Sequence, residues 1–137
     1  MKRNRGFTLM EMLIVVAIIA VLVAISIPIF TSQLEKSRDA VSISNLRAAY
    51  AEASVAALTE TNSGTRVVYT KGATAADPNT VKVTGVAFKG TQTGWSDVDT
   101  QCPFTIDDTV SAKNGTAGNY DITFTFNADG TVEASIE

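Results

Sequence analysis

The sequence has no histidine and a single cysteine, Cys102, among its 137 residues. Without histidine the chain offers no Ser-His or Cys-His nucleophile pair and no imidazole metal ligand, so most common catalytic arrangements are excluded. A lone cysteine forms no disulfide within its own chain, and we expect Cys102 to be a small, half-buried residue beside Pro103. We therefore predict that the protein is not an enzyme and has no catalytic residue and no cofactor.

Positive charge is also scarce. The chain carries 11 basic and 14 acidic residues, a net charge of −3. Lys2, Arg3 and Arg5 all precede Gly6, so the remainder has 8 basic and 14 acidic residues and a net charge of −6. Scattered lysines on an acidic chain form no basic stripe for phosphate groups, and we expect no direct nucleic-acid binding by the isolated chain.

Long apolar stretches are absent except at the N-terminus, where residues 7–30 form a run of 24 almost entirely apolar residues. As a helix this run is roughly 36 Å long, which is enough for a bilayer core of about 30 Å. It is longer than the apolar part of an ordinary secretory signal. We predict a membrane-spanning anchor whose N-terminus, with Lys2, Arg3 and Arg5, stays in the cytoplasm.

One acid, Glu11, interrupts the apolar run. A carboxylate deep in a bilayer costs on the order of 2.5–3.5 kcal/mol, so this residue requires compensation. Three interpretations remain open from the residues alone. Glu11 lies shallow enough to reach water, it is a chance polar residue, or it awaits a positive partner.

The residues at the start of the run carry a family resemblance. The string GFTLME at residues 6–11, the long apolar helix and Pro28 resemble the prepilin signature of type IV pilins and related pseudopilins. The resemblance implies cleavage after Gly6, N-methylation of the new N-terminal Phe7, and a role for Glu11 in assembly. We expect Glu11 to pair with the Phe7 amine of a neighbouring subunit and not with a group in its own chain.

Beyond the apolar run the pattern becomes amphipathic, with charged residues interleaved among apolar ones up to Thr59. Pro28 removes a backbone donor, which predicts a kink or a weakened segment near residues 24–27; the resemblance instead implies loosening on assembly. An apolar stripe at helical spacing predicts packing of this half of the helix on a sheet. The stripe consists of Ile43, Leu46, Tyr50, Ala53 and Ala57.

The C-terminal part alternates with period two between turn signals. The predicted strands are residues 66–70, 80–88, 104–107, 119–126 and 131–136, the last two forming a hairpin. We predict an α+β protein with the type IV pilin fold. One long helix, about residues 7–59 and kinked near Pro28, packs by its C-terminal half on a small antiparallel sheet. The predicted regions are the leader 1–6, the anchor 7–30 and the head 31–137, which comprises half-helix 31–59 and sheet 65–137.

Two possible sites in the head stay open. Asn114-Gly115-Thr116 fits the N-glycosylation pattern, although Asn-Gly is first of all a turn. Four acids lie close together in the sequence and offer oxygen ligands for calcium, but their spacing matches no EF-hand loop, which favours a solvated acidic loop. These acids are Asp97, Asp99, Asp107 and Asp108.

The sequence therefore predicts a structural subunit of a type IV pilus or pilus-like filament. The resemblance implies the cytoplasmic membrane as the location of the precursor and the cell surface as that of the filament. Its implied partners are further copies of the chain, a prepilin peptidase, an assembly platform protein and an ATPase. Adhesion, motility and DNA uptake are the family's usual outputs. The alternatives are a pseudopilin of a type II secretion or competence system and, more distantly, a single-pass membrane enzyme or sensor.

Overall fold

The computed structural model of the protein describes residues 6–95 and 98–137, without the side chain of Asp99. Its elements in chain order are α1 (Leu9–Thr59), β1 (Val67–Thr70), β2 (Asn79–Phe88), α2 (Val98–Gln101), β3 (Thr105–Ile106), α3 (Asp108–Ser111), β4 (Gly118–Phe126) and β5 (Val132–Ile136). The chain divides into two compact units, one ending at Leu34 and the other spanning Glu35–Glu137. The predicted α+β architecture is confirmed. Of the predicted leader, only Gly6 lies among the described residues.

The first unit is the N-terminal part of α1, which is long and apolar enough to cross a membrane. Its large apolar side chains are all exposed, from Phe7 at 79% to Leu34 at 39%. Pro28 lies inside the helix, and the Thr31 hydroxyl donates to its carbonyl at 3.0 Å. The kink at Pro28 stays a prediction. Among residues 6–34, the described part of this unit, the large apolar side chains are not buried against one another.

The second unit, which we call the head, buries its apolar side chains on the C-terminal half of α1 and one face of a sheet. The predicted helical stripe is confirmed, because Ile43, Leu46 and Ala53 are buried and Tyr50 packs against the same core. Tyr50 touches the ring of Phe104 at a centroid distance of 4.9 Å. The helix thus supplies one wall of the core, as expected for a head too small to bury enough apolar area with its sheet alone.

The sheet has the strand order β1-β2-β4-β5-β3 within the described residues. Its β1–β2, β2–β4 and β4–β5 pairs are antiparallel, and the predicted β4–β5 hairpin is confirmed. The short strand β3 instead pairs with β5 in parallel, so the prediction of a purely antiparallel sheet was wrong at this edge. A parallel pair requires a crossover connection, and the chain between β3 and β5 supplies it through α3 and β4.

The helix ends at Thr59, where the sequence predicted it. The next residue, Glu60, has a left-handed backbone with φ 51°, and the Thr61 N–H bonds to the Ala56 carbonyl at 3.2 Å. This six-to-one bond is the Schellman closure, usually made with glycine at the left-handed position. The nearby Asn62 holds the start of the sheet, since its side-chain oxygen accepts a bond from the N–H of Tyr69 in β1 at 2.8 Å.

Candidate functional site

The N-terminal end of α1 is closed by a reciprocal pair of hydrogen bonds between Thr8 and Glu11. The Thr8 N–H donates to Glu11 Oε2 at 2.8 Å, and the Glu11 N–H donates to Thr8 Oγ1 at 3.3 Å. The Thr8 hydroxyl also donates to Glu11 Oε2 at 3.1 Å. With α1 starting at Leu9, Thr8 is the N-cap and Glu11 the third helical residue, which is the geometry of a capping box.

This contact changes the interpretation of Glu11. From the sequence we expected no partner for its carboxylate within its own chain, and that expectation was wrong. The pattern Thr-x-x-Glu before an apolar run is a recognisable capping signal, and residues 8–11 contain it. A negative side chain in the first turn also interacts favourably with the positive end of the helix dipole. Glu11 therefore has an intrachain role whether or not it also contacts a neighbour.

The Gly6–Phe7 bond lies just before this cap, in a segment without helical structure. Gly6 is exposed, and a Cβ built on it would meet nothing within 4 Å. Phe7 is also exposed. The basic residues Lys2, Arg3 and Arg5 lie outside the described residues. The bond that the resemblance marks for cleavage is thus accessible from solvent.

The acids considered for calcium do not form a metal site in the described part of the chain. Asp107 is the N-cap of α3, where its side chain accepts a bond from the Thr109 N–H at 2.6 Å. Asp108 is exposed in the first turn of the same helix. Asp97 and the side chain of Asp99 lie outside the described residues. Within those limits no group of three metal-binding side chains is present.

Asn114 lies in a turn, as the Asn-Gly pair predicts. Gly115 has φ 81°, and the Thr116 N–H bonds back to the Lys113 carbonyl at 2.9 Å. The Asn114 side-chain oxygen accepts bonds from the N–H groups of Gly94 at 3.2 Å and Trp95 at 3.4 Å. Asn114 thus holds a loop of the head, and its glycosylation stays open.

That loop, residues 89–95, is held on its other side by polar residues of α1 that the sequence did not indicate. Glu35 and Asp39, which we had placed among the charged residues of an amphipathic helix, are both buried. Ser42 accepts a bond from the Lys89 N–H at 2.8 Å, and the Asn45 amide donates to the Ala87 carbonyl at 2.8 Å. No sequence signal identifies these contacts, because the partners are more than forty residues apart.

The pKa values of the two buried acids are shifted in opposite directions. Hydrogen bonds from the backbone and hydroxyl of Thr91, with further bonds from Gln92 and Arg38, hold the pKa of Glu35 below its ordinary value despite burial. Burial and then the nearby charge of Glu35 raise the pKa of Asp39. Satisfied and unsatisfied carboxylates thus lie one helical turn apart.

In comparisons with known proteins, one family and one curated relative match part of this chain. The family described as the prokaryotic N-terminal methylation motif matches residues 1–27. The type IV major pilin protein PilA of Myxococcus xanthus (strain DK1622) is 52% identical over 48 residues, which are 35% of this chain and 22% of that protein. The matched part is thus about a fifth of the relative's length. No solved structure matches the chain.

The resemblance to type IV pilins is confirmed by these two matches. The matched relative is a type IV major pilin, a structural subunit, and this match supports the prediction that the protein is not an enzyme. These matches cover only part of the chain, so the structure is the evidence for the rest of the head. The cleavage, methylation and assembly roles of Gly6, Phe7 and Glu11 stay predictions, as does the kink at Pro28.

Proposed function

We propose that the chain is the precursor of a type IV pilin subunit that is cleaved after Gly6, N-methylated at Phe7 and polymerised through the apolar part of α1. One observation carries the proposal: the helix after the accessible Gly6–Phe7 bond exposes all its large apolar side chains as far as Leu34. Exposed apolar surface of this extent requires lipid or protein around it. A precursor in the membrane and a filament of copies provide these two environments in turn.

The charge distribution supports an inserted precursor with its N-terminus in the cytoplasm, because Lys2, Arg3 and Arg5 precede the span. The partners we propose are the membrane, a prepilin peptidase, a platform protein with its ATPase, and further copies of the chain. Among the family's outputs, adhesion, motility and DNA uptake, no feature of the head favours one. The match to a major pilin favours a pilus over the short pseudopilus of a secretion or competence system.

Glu11 has two roles to be separated in this proposal. Its carboxylate caps its own helix through Thr8. Cleavage before Phe7 would also create a positive amine, and the Glu11 carboxylate of one copy could pair with the Phe7 amine of another in an apolar bundle. Breaking a buried ion pair by removing one partner costs about 3–5 kcal/mol, whereas loss of an N-cap costs about 0.5–2 kcal/mol.

Two substitutions distinguish the roles. Glu11→Gln removes the charge and keeps a side chain that suits the third position of a capping box. Thr8→Val keeps the charge and removes the hydroxyl that accepts the Glu11 N–H. We expect Glu11→Gln to lower the yield of filaments more than about tenfold while membrane insertion and cleavage persist. Thr8→Val should assemble nearly normally.

The measurement is the yield of sheared filaments, with N-terminal mass spectrometry of the membrane-bound and filamentous protein. A wild-type chain that begins with methylated Phe7 supports the proposal, and a chain that keeps Met1 in filaments contradicts it. If Thr8→Val fails to assemble and Glu11→Gln assembles, the capping role dominates and the interchain pair is wrong. Short periplasmic assemblies in place of surface fibres would instead support a pseudopilin.

A further inference from the structure

Besides the bonds of Lys89 and Gly90 to Ser42, the loop of residues 89–95 makes polar contacts with one carboxylate of α1, that of Glu35. The N–H of Thr91 donates to Glu35 Oε1, the Gln92 N–H donates to the same oxygen at 2.7 Å, and the Thr91 hydroxyl donates to Oε2 at 2.9 Å. Arg38 also approaches Oε2 at 3.4 Å. Because these four donors occupy both carboxylate oxygens, the ionised form of Glu35 is the form that holds the loop.

Asp39 lies one turn further along α1 and faces the same loop without a comparable set of donors. It is 8% exposed, and its Oδ1 has no hydrogen-bond partner among the described residues. The loop backbone passes directly over this oxygen, since a Cβ built on Gly90 would overlap Asp39 Oδ1 and lie 3.5 Å from Glu35 Oε1. An ionised carboxylate in this position is unfavourable, both because it is desolvated and because a second carboxylate is near.

The described charged groups near Asp39 form no salt bridge that would offset the burial of its carboxylate. Its own helix presents Glu35, Lys36 and Arg38. Arg38 pairs with Glu35, and Lys36 lines the same cleft as Asp39 but forms no salt bridge with it. Lys89 is the one ionisable residue of the loop of residues 89–95, and its side chain is exposed. In the described part of α2, Gln101 lines the same cleft. Among the described residues, the negative charge of Glu35 thus lies near Asp39, and no cation forms a salt bridge with the Asp39 carboxylate.

We propose that Asp39 is a proton-sensitive switch for this loop, which docks more tightly on α1 when Asp39 is protonated and more loosely when it is ionised. Protonation removes the repulsion between Asp39 and Glu35, and Glu35 stays ionised and keeps its four donors. The device thus depends on two carboxyl groups with opposite roles. Glu35 holds the loop, and Asp39 sets how firmly it is held.

The direction of the pH effect follows from the pKa of Asp39, which burial and the charge of Glu35 raise above the ordinary 3.8. The folded chain then binds this proton more tightly than the unfolded chain. Protonation of Asp39 therefore stabilises the folded chain. This stabilisation is complete below pH 3.8 and is lost as the pH rises through the raised pKa of Asp39. Mild acid is therefore the condition that fastens the loop.

Trp95, the only tryptophan of the sequence, is a built-in reporter at the end of this loop. Its ring packs edge-on against Phe88 at a centroid distance of 5.0 Å. The indole approaches Asp39 closely enough to offset part of the rise in the pKa of that carboxyl. Its N–H nevertheless makes no hydrogen bond of normal geometry to a described residue. Its fluorescence should follow the state of Asp39.

The test is a pH titration of Trp95 emission and of its quenching by acrylamide, on the full chain in detergent micelles. For the wild type we expect less quenching in mild acid than at neutral pH, with a midpoint above 3.8. Asp39→Asn should abolish this transition and fix the loop in its tightly docked state at neutral pH. Glu35→Gln should move the midpoint down, because the neighbouring charge is gone.

Glu133→Gln, an exposed acid on β5, is the matched control and should leave the wild-type midpoint unchanged. A transition that persists in Asp39→Asn, or a wild-type midpoint at or below 3.8, would overturn the proposal. So would an Asp39→Asn chain that melts at a lower temperature than the wild type at neutral pH. The proposal makes the ionised carboxylate the less stable form, and removal of its charge must not weaken the fold.

Discussion

The two units of the chain contain apolar residues of the same kinds in opposite surroundings. In the N-terminal unit Leu22 is 58% exposed and Phe30 is 67% exposed, whereas in the head Leu46 and Phe124 are both 0% exposed. The head therefore has its own hydrophobic core, whereas the apolar surface of the N-terminal unit is the part that contacts lipid or other copies of the chain in the proposed function. Burial of apolar side chains thus stabilises the head, whereas the described N-terminal unit buries none of its large apolar side chains.

The hydrogen bonds of polar side chains also differ between the units, in the sequence separation of their partners. In the N-terminal unit the hydrogen bonds of Ser26 and Glu11 stay within four residues along the helix. In the head Glu35 and Ser42 bond across more than forty residues to a loop. Local bonds form wherever the helix forms, but the long-range bonds exist only when the head is folded. Two predictions compare the units directly, and a third concerns a turn of the head alone.

The largest difference is expected between two leucines of α1. Leu46→Ala leaves a cavity in the core and should destabilise the head by about 2–5 kcal/mol. Leu22→Ala removes an exposed side chain and should change the stability of the head by less than about 0.5 kcal/mol. Denaturant unfolding of each full-length variant in detergent, followed by Trp95 emission, measures both. Equal losses would show that the exposed Leu22 contributes as much to the stability of the head as the buried Leu46, which would contradict the comparison.

A smaller difference is expected between two serines. Ser42 is fully buried and accepts bonds from the N–H groups of Lys89 at 2.8 Å and Gly90 at 3.4 Å. Ser42→Ala leaves these donors without their acceptor and should cost about 1–3 kcal/mol. Ser26 is exposed and donates only to the Leu22 carbonyl of its own helix, so Ser26→Ala should cost less than about 0.5 kcal/mol.

The same unfolding assay measures the serine pair. A Ser42→Ala chain as stable as the wild type would mean that the loop of residues 89–95 contributes little to the fold, and would weaken the basis for the Asp39 switch. A large loss in Ser26→Ala would mean that the helix before Pro28 is coupled to the stability of the head.

The smallest effect is expected at the β4–β5 turn of the head. The hydroxyl and N–H of Thr131 bond to Asp129 Oδ1 at 2.6 and 2.9 Å and hold the pKa of that carboxyl below its ordinary 3.8. The stabilisation of the folded chain by these bonds to ionised Asp129 is present above pH 3.8 and is lost as the pH falls through the lowered pKa. Asp129→Asn should flatten the acid side of the stability profile.

Thermal melting of the full chain as a function of pH measures this effect. Asp108→Asn, at an exposed aspartate of α3, is the control and should keep the acid-side slope of the wild type. An unchanged slope in Asp129→Asn would show that the turn does not contribute. The opposite pH directions of Asp129 and Asp39 also mean that each must be tested in its own variant.

Much of the fold follows from local patterns. The apolar stripe through Ile43 and Leu46 predicted the packed face of α1, and the alternation through Ile122 and Phe124 predicted β4 and its hairpin. The parallel pairing of β3 was not predicted, because two residues, Thr105 and Ile106, carry too short a pattern to fix a register or a direction. The helices α2 and α3 were missed for the same reason, since each has four residues.

In the candidate site, too, the features that depend on neighbouring residues were predictable, and the contacts between distant residues were not. The signature at Gly6, Phe7 and Glu11 is contiguous in the sequence, and its resemblance to type IV pilins is confirmed. The capping bond between Thr8 and Glu11 was also available from the sequence through its Thr-x-x-Glu spacing. The contacts of Glu35 and Asp39 were not, because helical periodicity alone places charged residues on a solvent-facing side.

The sequence by itself determined the apolar span, the position of its one acid and the order of helix and strands, since each depends on neighbours within a few residues. Only the tertiary structure decided that Glu35 and Asp39 are buried, because the loop that covers them lies more than fifty residues away along the chain. Backbone N–H groups of that loop bind the Glu35 carboxylate and leave Oδ1 of Asp39 without a donor among the described residues. Which acid is satisfied and which is not depends on the geometry of the folded loop.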